Sequence, residues 1–367
     1  MVIVPALCLR RLSLLVLAEL YSESVREATY SVCVADQARR VFPGLPARES
    51  PTRPLAVSRL KRHPALFAAM DDLVGQLPDE GKELRSRATR ADLLRLVGGS
   101  DLLRTALRAS RGALPAGSVE ETLRHTRRQL DVPTEVRFAH VVAPERLEAL
   151  DGRPLDVGTP DEVAGTIDPE DYSILFELLF RRTGTGATEA ARLPRYAHLV
   201  VDEAQDLAPI ELRILGRAVD PRGGTVTVAG DAAQQIDPSS HFESWEAVME
   251  SLGVAGTEPD LLETSYRCPQ AIADLGQAIL GDQAPTTTSS PSREESISAS
   301  SRSAVPTEGH AAAEIASSLV EYVGAEPRAS VAVICRDGEG ARALHAVLSR
   351  ILAARLVLDG EFSFGPG

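Results

Sequence analysis

Lysine is almost missing from this sequence: Lys61 and Lys82 are the only two among 39 basic residues. Nearly all positive charge is arginine, a bias more in keeping with coding composition than with a mechanism. Cysteine is scarce as well. Cys8, Cys33, Cys268 and Cys335 lie far apart and form no CxxC pair, which argues against a local zinc or redox motif and fits a reduced, cytoplasmic setting. No stretch approaches ~18 uninterrupted apolar residues, so no membrane span is expected. Arg10 and Arg11 precede the apolar run Leu12–Ala18, faintly like a signal peptide. That run is short, is cut by Glu19 and lacks a convincing small-residue cleavage site. A buried strand at Val2–Val4 followed by a helix is the better reading.

What is present is an ordinary globular mixture, 44% hydrophobic and 25% charged. A chain of 367 residues suggests two or three units. The net charge of −13 argues against wholesale non-specific nucleic-acid binding but leaves room for a local basic surface. One exists in the sequence: from Arg53 to Arg128 there are 15 Lys/Arg against 9 Asp/Glu, an excess of +6, so the remainder carries −19. Solvated helix faces and a phosphate-contacting surface account for that excess equally well.

Hydrophobic periodicity orders the chain. From about residue 52 to 130 apolar residues recur at helical spacing, most clearly in "LLRLVGGSDLLRTALRAS". Residues 131–168 are rich in Pro, Gly and Asp and are ambiguous, and a helix follows at "PEDYSILFELLFRR". Next come the strand "HLVV" (198–201), the helix "PIELRILGRAV" and the strand "TVTVAG" (225–230). Strand–helix–strand at this spacing is the unit of a parallel sheet with helices on its faces. A second such set reads as helix "HAAAEIASSLVEYVG", strand "SVAVICR" and helix "EGARALHAVLSRIL". The Ser/Thr/Pro-rich stretch "DQAPTTTSSPSREESISASSRSAVP" before it is a linker or disordered loop by composition.

Candidate chemistry gathers just after the strands, where open parallel sheets bind ligands. Asp202, Glu203, Gln205 and Asp206 follow "HLVV" directly. Of two adjacent carboxylates, one can hold Mg²⁺ while the other orients and deprotonates an attacking water. The competing reading is a solvated acidic turn with Asp206 capping the helix near Pro209. The next strand ends in "GDAAQQI", placing Gly230, Asp231 and Gln234 at the same sheet edge, where a Gln can hydrogen-bond a phosphate oxygen; a plain Gly-Asp turn is the alternative. Some thirty residues on, "LLETSYRCPQAI" offers Arg267 as a phosphate clamp or as a surface residue at a helix start.

"VVDEAQD", "GDAAQQI" and "LETSYRCPQAI", in that order, resemble motifs II, III and IV of the UvrD/Rep-like superfamily 1 helicases. The matched motifs cover residues 198–272. "VIVPA" looks like the second strand of a first RecA-like lobe, and "SVAVICR" like a strand of the second. The resemblance implies an α/β fold: a RecA-like parallel sheet with helices on both faces, a helical insertion and part of a second RecA-like lobe. Its divisions fall at 1–51 for the start of the first lobe and 52–168 for a mainly helical insertion. The rest of that lobe follows at 169–282, a linker at 283–304 and the partial second lobe at 305–367. It implies that Asp202 binds Mg²⁺, Glu203 activates water, Gln234 senses the γ-phosphate and Arg267 contacts it. Asp231, Gln205 and Tyr266 would touch the nucleotide, with Thr264 and Ser265 in the same motif.

The departures are equally plain. ATP hydrolysis in the family needs the loop GxxxxGK[ST], whose backbone N–H groups and Lys hold the β- and γ-phosphates. Lys61 lies in "RLKRHP" with no glycine before it. Lys82 follows Gly81, but Gln76 stands at the first Gly position and Glu83 at the Ser/Thr position. The family places that loop before the strand that begins here at Val2, hence upstream of Met1. The motifs that close the family's second lobe are also missing. Where the family often carries a base-stacking aromatic after motif III, Asp237 and Pro238 follow Ile236; Phe242 or Trp245 could stack on DNA or serve in ordinary packing. By resemblance the chain is part of an ATP-dependent 3′–5′ DNA helicase or translocase, inactive alone. Its partner would be single-stranded DNA or a single/double-strand junction, with repair proteins or RNA polymerase as further partners. The alternative is a non-catalytic DNA- or RNA-polymerase-binding module.

Overall fold

The apolar triplet Val2–Val4 forms strand β1, with Ile3 and Val4 almost fully buried, and every strand pairing around it is parallel. The computed structural model describes residues 1–4, 25–50, 53–77, 86–133, 163–183, 193–235, 237–254, 256, 258–262, 270–281, 303–326 and 331–357. The chain divides into two units: Met1–Pro5 with Leu14–Asp260, and Ala6–Ser13 with Leu261–Gly367.

In the first unit β1 is followed by β2 (Glu27–Thr29), α1 (Tyr30–Val41) and β3 (Arg48–Glu49). Five helices then cover the stretch read as helical: α2 (Leu55–Arg62), α3 (Leu66–Gly75), α4 (Ser86–Gly98), α5 (Ser100–Ala109) and α6 (Ser118–Leu130). Strand β4 (Thr166–Ile167) and α7 (Pro169–Thr183) precede the run β5 (His198–Val201), α8 (Pro209–Arg217), β6 (Thr225–Val228) and α9 (Trp245–Leu252). The sheet has four strands in the order β2-β1-β5-β6, flanked by helices, and β3 pairs with β4 in a separate two-stranded ladder. The fold is therefore α/β with a small parallel sheet.

Local chemistry explains the elements. Thr29 ends β2 and caps α1, its Oγ1 accepting from Val32 N–H, and Arg39 and Arg40 complement the dipole in the last turn. Tyr30, Val34, Ala35, Ala38 and Val41 bury one face of α1. Helix α7 differs: Glu170 through Leu179 are all buried, and it packs against α1, α2, α3, α4 and α8. Its apolar side chains each stabilise the fold by roughly 1.5–3 kcal/mol, and Phe176 meets Phe42 edge to face at 5.3 Å. Its buried Glu177 is held by Arg181, Arg213 and Arg217.

The register β1–β5 (Val2 to Val200, Ile3 to Val201) and β5–β6 (His198 to Thr225, Val201 to Val228) aligns the carboxyl ends of three strands. That alignment sets the turns after β5 and β6 side by side. In the second unit α10 (Gln270–Leu280), α11 (Glu308–Ala325) and α12 (Gly338–Leu348) are helical, with α11 packed on α12 and Asp337 capping α12. "SVAVICR" was expected to be a strand, yet residues 331–335 have no strand assignment. Apolar alternation alone does not make a strand without a neighbouring ladder, and Ile334 is 92% exposed. The helix expected after β1 and most of the Ser/Thr/Pro-rich stretch lie outside the described residues.

Candidate functional site: two turns at the sheet edge

Asp202 continues the β5 ladder, its N–H donating to Ile3 O at 3.0 Å. The next residue, Glu203, takes φ 50°, ψ 47°, the left-handed region that costs a non-glycine residue about 1 kcal/mol or more. The chain then re-enters the sheet environment: Ala204 N–H donates to Ala229 O at 3.0 Å. Glu203 thus sits at the crest of a turn pinned on both sides. Oδ1 of Asp202 accepts from Glu203 N–H at 3.0 Å, and both carboxylates remain half-buried.

Gln205 joins this turn to the one after β6. Its side chain is buried, Nε2 donating to Glu203 Oε2 at 2.7 Å and Oε1 accepting from Asp231 N–H at 3.1 Å. Gly230 is required by that approach. A Cβ there would meet Gln205 Oε1 at 2.3 Å and the Trp245 ring at 2.7 Å. Past it, Asp231 caps a short 3₁₀ turn through Ala233 N–H, and its other oxygen accepts from Gln234 Nε2 at 2.7 Å. Asp231 and Gln234 are exposed.

Asp206 does not cap α8. The helix starts after Ala208, whose N–H donates to Glu211 Oε2 at 2.8 Å. Asp206 is the last residue of a 3₁₀ turn and Leu207 carries the chain out of it, so the carboxylate of Asp206 lies two positions before the capping residue. Its carbonyl is used instead, by Arg62. Burial and the neighbouring charges of Glu203 and Asp237 raise the pKa of Asp206. Phe242 and Trp245, both half-buried, meet edge to face at 5.2 Å and pack against the core. A cleft of about 610 Å³ beside them is lined by Phe67, Arg213, Arg217 and Phe242, and by neither Asp202 nor Glu203. Tyr266 and Arg267 lie outside the described residues.

Two clusters escaped the sequence reading. Arg62 is a buried hub, and Lys61 beside it is fully enclosed. Lys61 Nζ donates to Asp168 at 2.7 Å and to Asp171 at 2.8 Å, while His125 and Gln129 contact the other oxygen of Asp168. Burial opposes the charge on Lys61, but Asp171 and Asp168 outweigh it and raise its pKa. The signal was present: Val57, Leu60 and Lys61 fall on one helical face, and all three are buried.

No protein-family model matches the chain, and no curated protein matches it. Among the described residues no group of three His, Cys, Asp or Glu side chains could hold a metal by itself, and no helix is long and apolar enough to cross a membrane.

Proposed function

We propose that the chain carries part of the nucleotide-hydrolysis site of an ATP-dependent DNA motor of the UvrD/Rep-like group, its sheet being that of a RecA-like lobe. The observation that carries this reading is the Gln205 bridge. It holds a strained, half-buried glutamate beside Asp231 and Gln234, at the carboxyl ends of adjacent parallel strands. A plain acidic turn needs neither the strain nor the bridge.

In this reading Asp202 is the residue that would hold Mg²⁺. One of its oxygens takes the Glu203 N–H, and the other takes no hydrogen bond from the described residues, which suits a hard cation that draws its remaining ligands from phosphate and water. When bound, the cation neutralises charge on the transferring phosphoryl group. Glu203 would accept the proton of the attacking water, oriented by the Gln205 amide on its second carboxylate oxygen. Gln234 would exchange its bond to Asp231 for one to a phosphate oxygen. The sequence offers no GxxxxGK[ST] loop to hold the β- and γ-phosphates, so the chain alone is a partial site for this chemistry.

The test has two arms. Mn²⁺, followed by electron paramagnetic resonance, should bind the purified chain at roughly millimolar strength, as one carboxylate with water ligands allows, and Asp202→Asn should abolish that binding. Equal binding by both proteins would overturn the metal assignment. With Mg²⁺, ATP and single-stranded DNA, the chain should hydrolyse no more ATP than Glu203→Gln. Robust hydrolysis lost in Glu203→Gln would overturn the partial-site reading.

A further inference from the structure

The turn after β5 and the turn after β6 are joined a second time, and the joint comes from outside the sheet. Arg62, the last residue of α2, is 8% exposed. Its Nη2 donates to the carbonyl of Asp206 at 2.7 Å and to Glu211 Oε2 at 2.8 Å. Its Nη1 donates to Asp237 Oδ2 at 2.5 Å and to Ser239 Oγ at 2.6 Å. One planar guanidinium thus grips the exit of the β5 turn and the start of α8 with one nitrogen, and the loop beyond the β6 turn with the other. Burial disfavours the charge, but Glu211 and Asp237 more than offset this and keep Arg62 protonated.

The same end of α2 is fastened to that loop twice more. His241 Nε2 is 2.8 Å from Arg59 O, and the rings of His63 and His241 meet at 4.4 Å. The loop is itself closed by Asp237 Oδ1, which accepts from the backbone and hydroxyl of Ser239, and by Gln235 donating to Ser240. Helix α2 packs in turn on α6 and α7. A shift of this helical layer therefore has a stiff, multiply bonded route to both turns.

We propose that Arg62 is the positioning residue of the carboxylate site, setting the spacing of the Asp202–Glu203 turn and the Asp231–Gln234 turn according to the position of α2. Its bearing on catalysis rests on the functional reading above; the geometric coupling does not. Lysine cannot replace it, because a single ammonium lacks the fork that reaches two loops at once.

The chain supplies its own reporter. Trp245 is its single tryptophan, and its ring lies against Gly230, where the β6 turn begins. In the full chain, well below its melting temperature, Arg62→Lys should raise acrylamide quenching of Trp245 about two-fold by loosening that packing locally. The Asp237→Asn/Ser239→Ala double variant, which cuts the same bridge from the loop side and leaves Arg62 intact, should do likewise. Combining the two sets of changes should add little more, as expected for one shared interaction. Lys61→Met, on the same helix but bonded to Asp168 and Asp171, leaves the Arg62 fork in place and should lower the melting temperature while changing the quenching less than either bridge variant. Quenching unchanged in both bridge variants overturns the proposal, and so does a Lys61→Met effect as large as that of Arg62→Lys. If quenching responds as expected but Mn²⁺ does not depend on Asp202, the functional reading fails and the coupling stands.

Discussion

The indole of Trp245 covers Gly230 so closely that a methyl group at that position would meet the ring at 2.7 Å. It would also meet Gln205 Oε1 at 2.3 Å, on the amide that ties Glu203 to Asp231. Gly230→Ala should therefore destabilise the chain by about 1–3 kcal/mol through overpacking. It should also shift the Trp245 emission, since the ring has to move. Urea denaturation followed by that emission measures both effects in one experiment.

Glu203 invites the opposite outcome. Its left-handed backbone is one that glycine adopts freely. Glu203→Gly should leave stability unchanged or raise it by up to about 1 kcal/mol. Glu203→Val should lower it, since a β-branched residue tolerates positive φ poorly. Equal loss of stability in both variants would show that the carboxylate's bond to Gln205, rather than the backbone, dominates at this position.

Lys61 is enclosed with two carboxylates. Removing its charge leaves Asp168 and Asp171 facing each other in a buried site, so Lys61→Met should cost about 3–5 kcal/mol in urea denaturation. Combining it with Asp171→Asn should restore part of that loss, because the remaining carboxylate, Asp168, keeps Gln129 and His125 as partners.

Acid titration should separate two opposing contributions. Burial, with His241 and Arg59 nearby, lowers His63 to about 4, and burial lowers His241 as well. The unfolded chain then binds protons that the folded one refuses, so stability from this pair declines as pH falls from the ordinary histidine range toward 4. Asp171 acts in reverse. Burial raises it to about 6, against the pull of Lys61, so the folded chain holds an extra proton and gains stability as pH falls through 6 toward the ordinary carboxylate range. Stability of wild type minus His63→Gln should fall over that interval, and wild type minus Asp171→Asn should rise. Flat difference curves would refute the assignment.

Much of the fold was legible because its elements carry local signals. "HLVV", "PIELRILGRAV" and "TVTVAG" show their period and their starts, and they fold as β5, α8 and β6, the last two each ending two residues earlier than the sequence suggests. The three-residue strand Glu27–Thr29 gave no such signal, since its strand character comes from the neighbour β1 rather than from its own composition. The failure of "SVAVICR" has the same origin: pairing partners are non-local, and alternation does not supply them. At the site, the carboxylates and glutamines could be placed from the sequence because they follow strands directly. Arg62 could not. Its four partners lie between 144 and 177 residues away along the chain, and only the packed structure assembles them.

The left-handed conformation of Glu203 has an evolutionary consequence. A glutamate codon is one base change from a glycine codon, so mutation has a short path out of the strain and no packing obstacle along it. That single change would relieve the backbone at φ 50° and at the same time remove the carboxylate that accepts from Gln205, so the two effects oppose each other at one position.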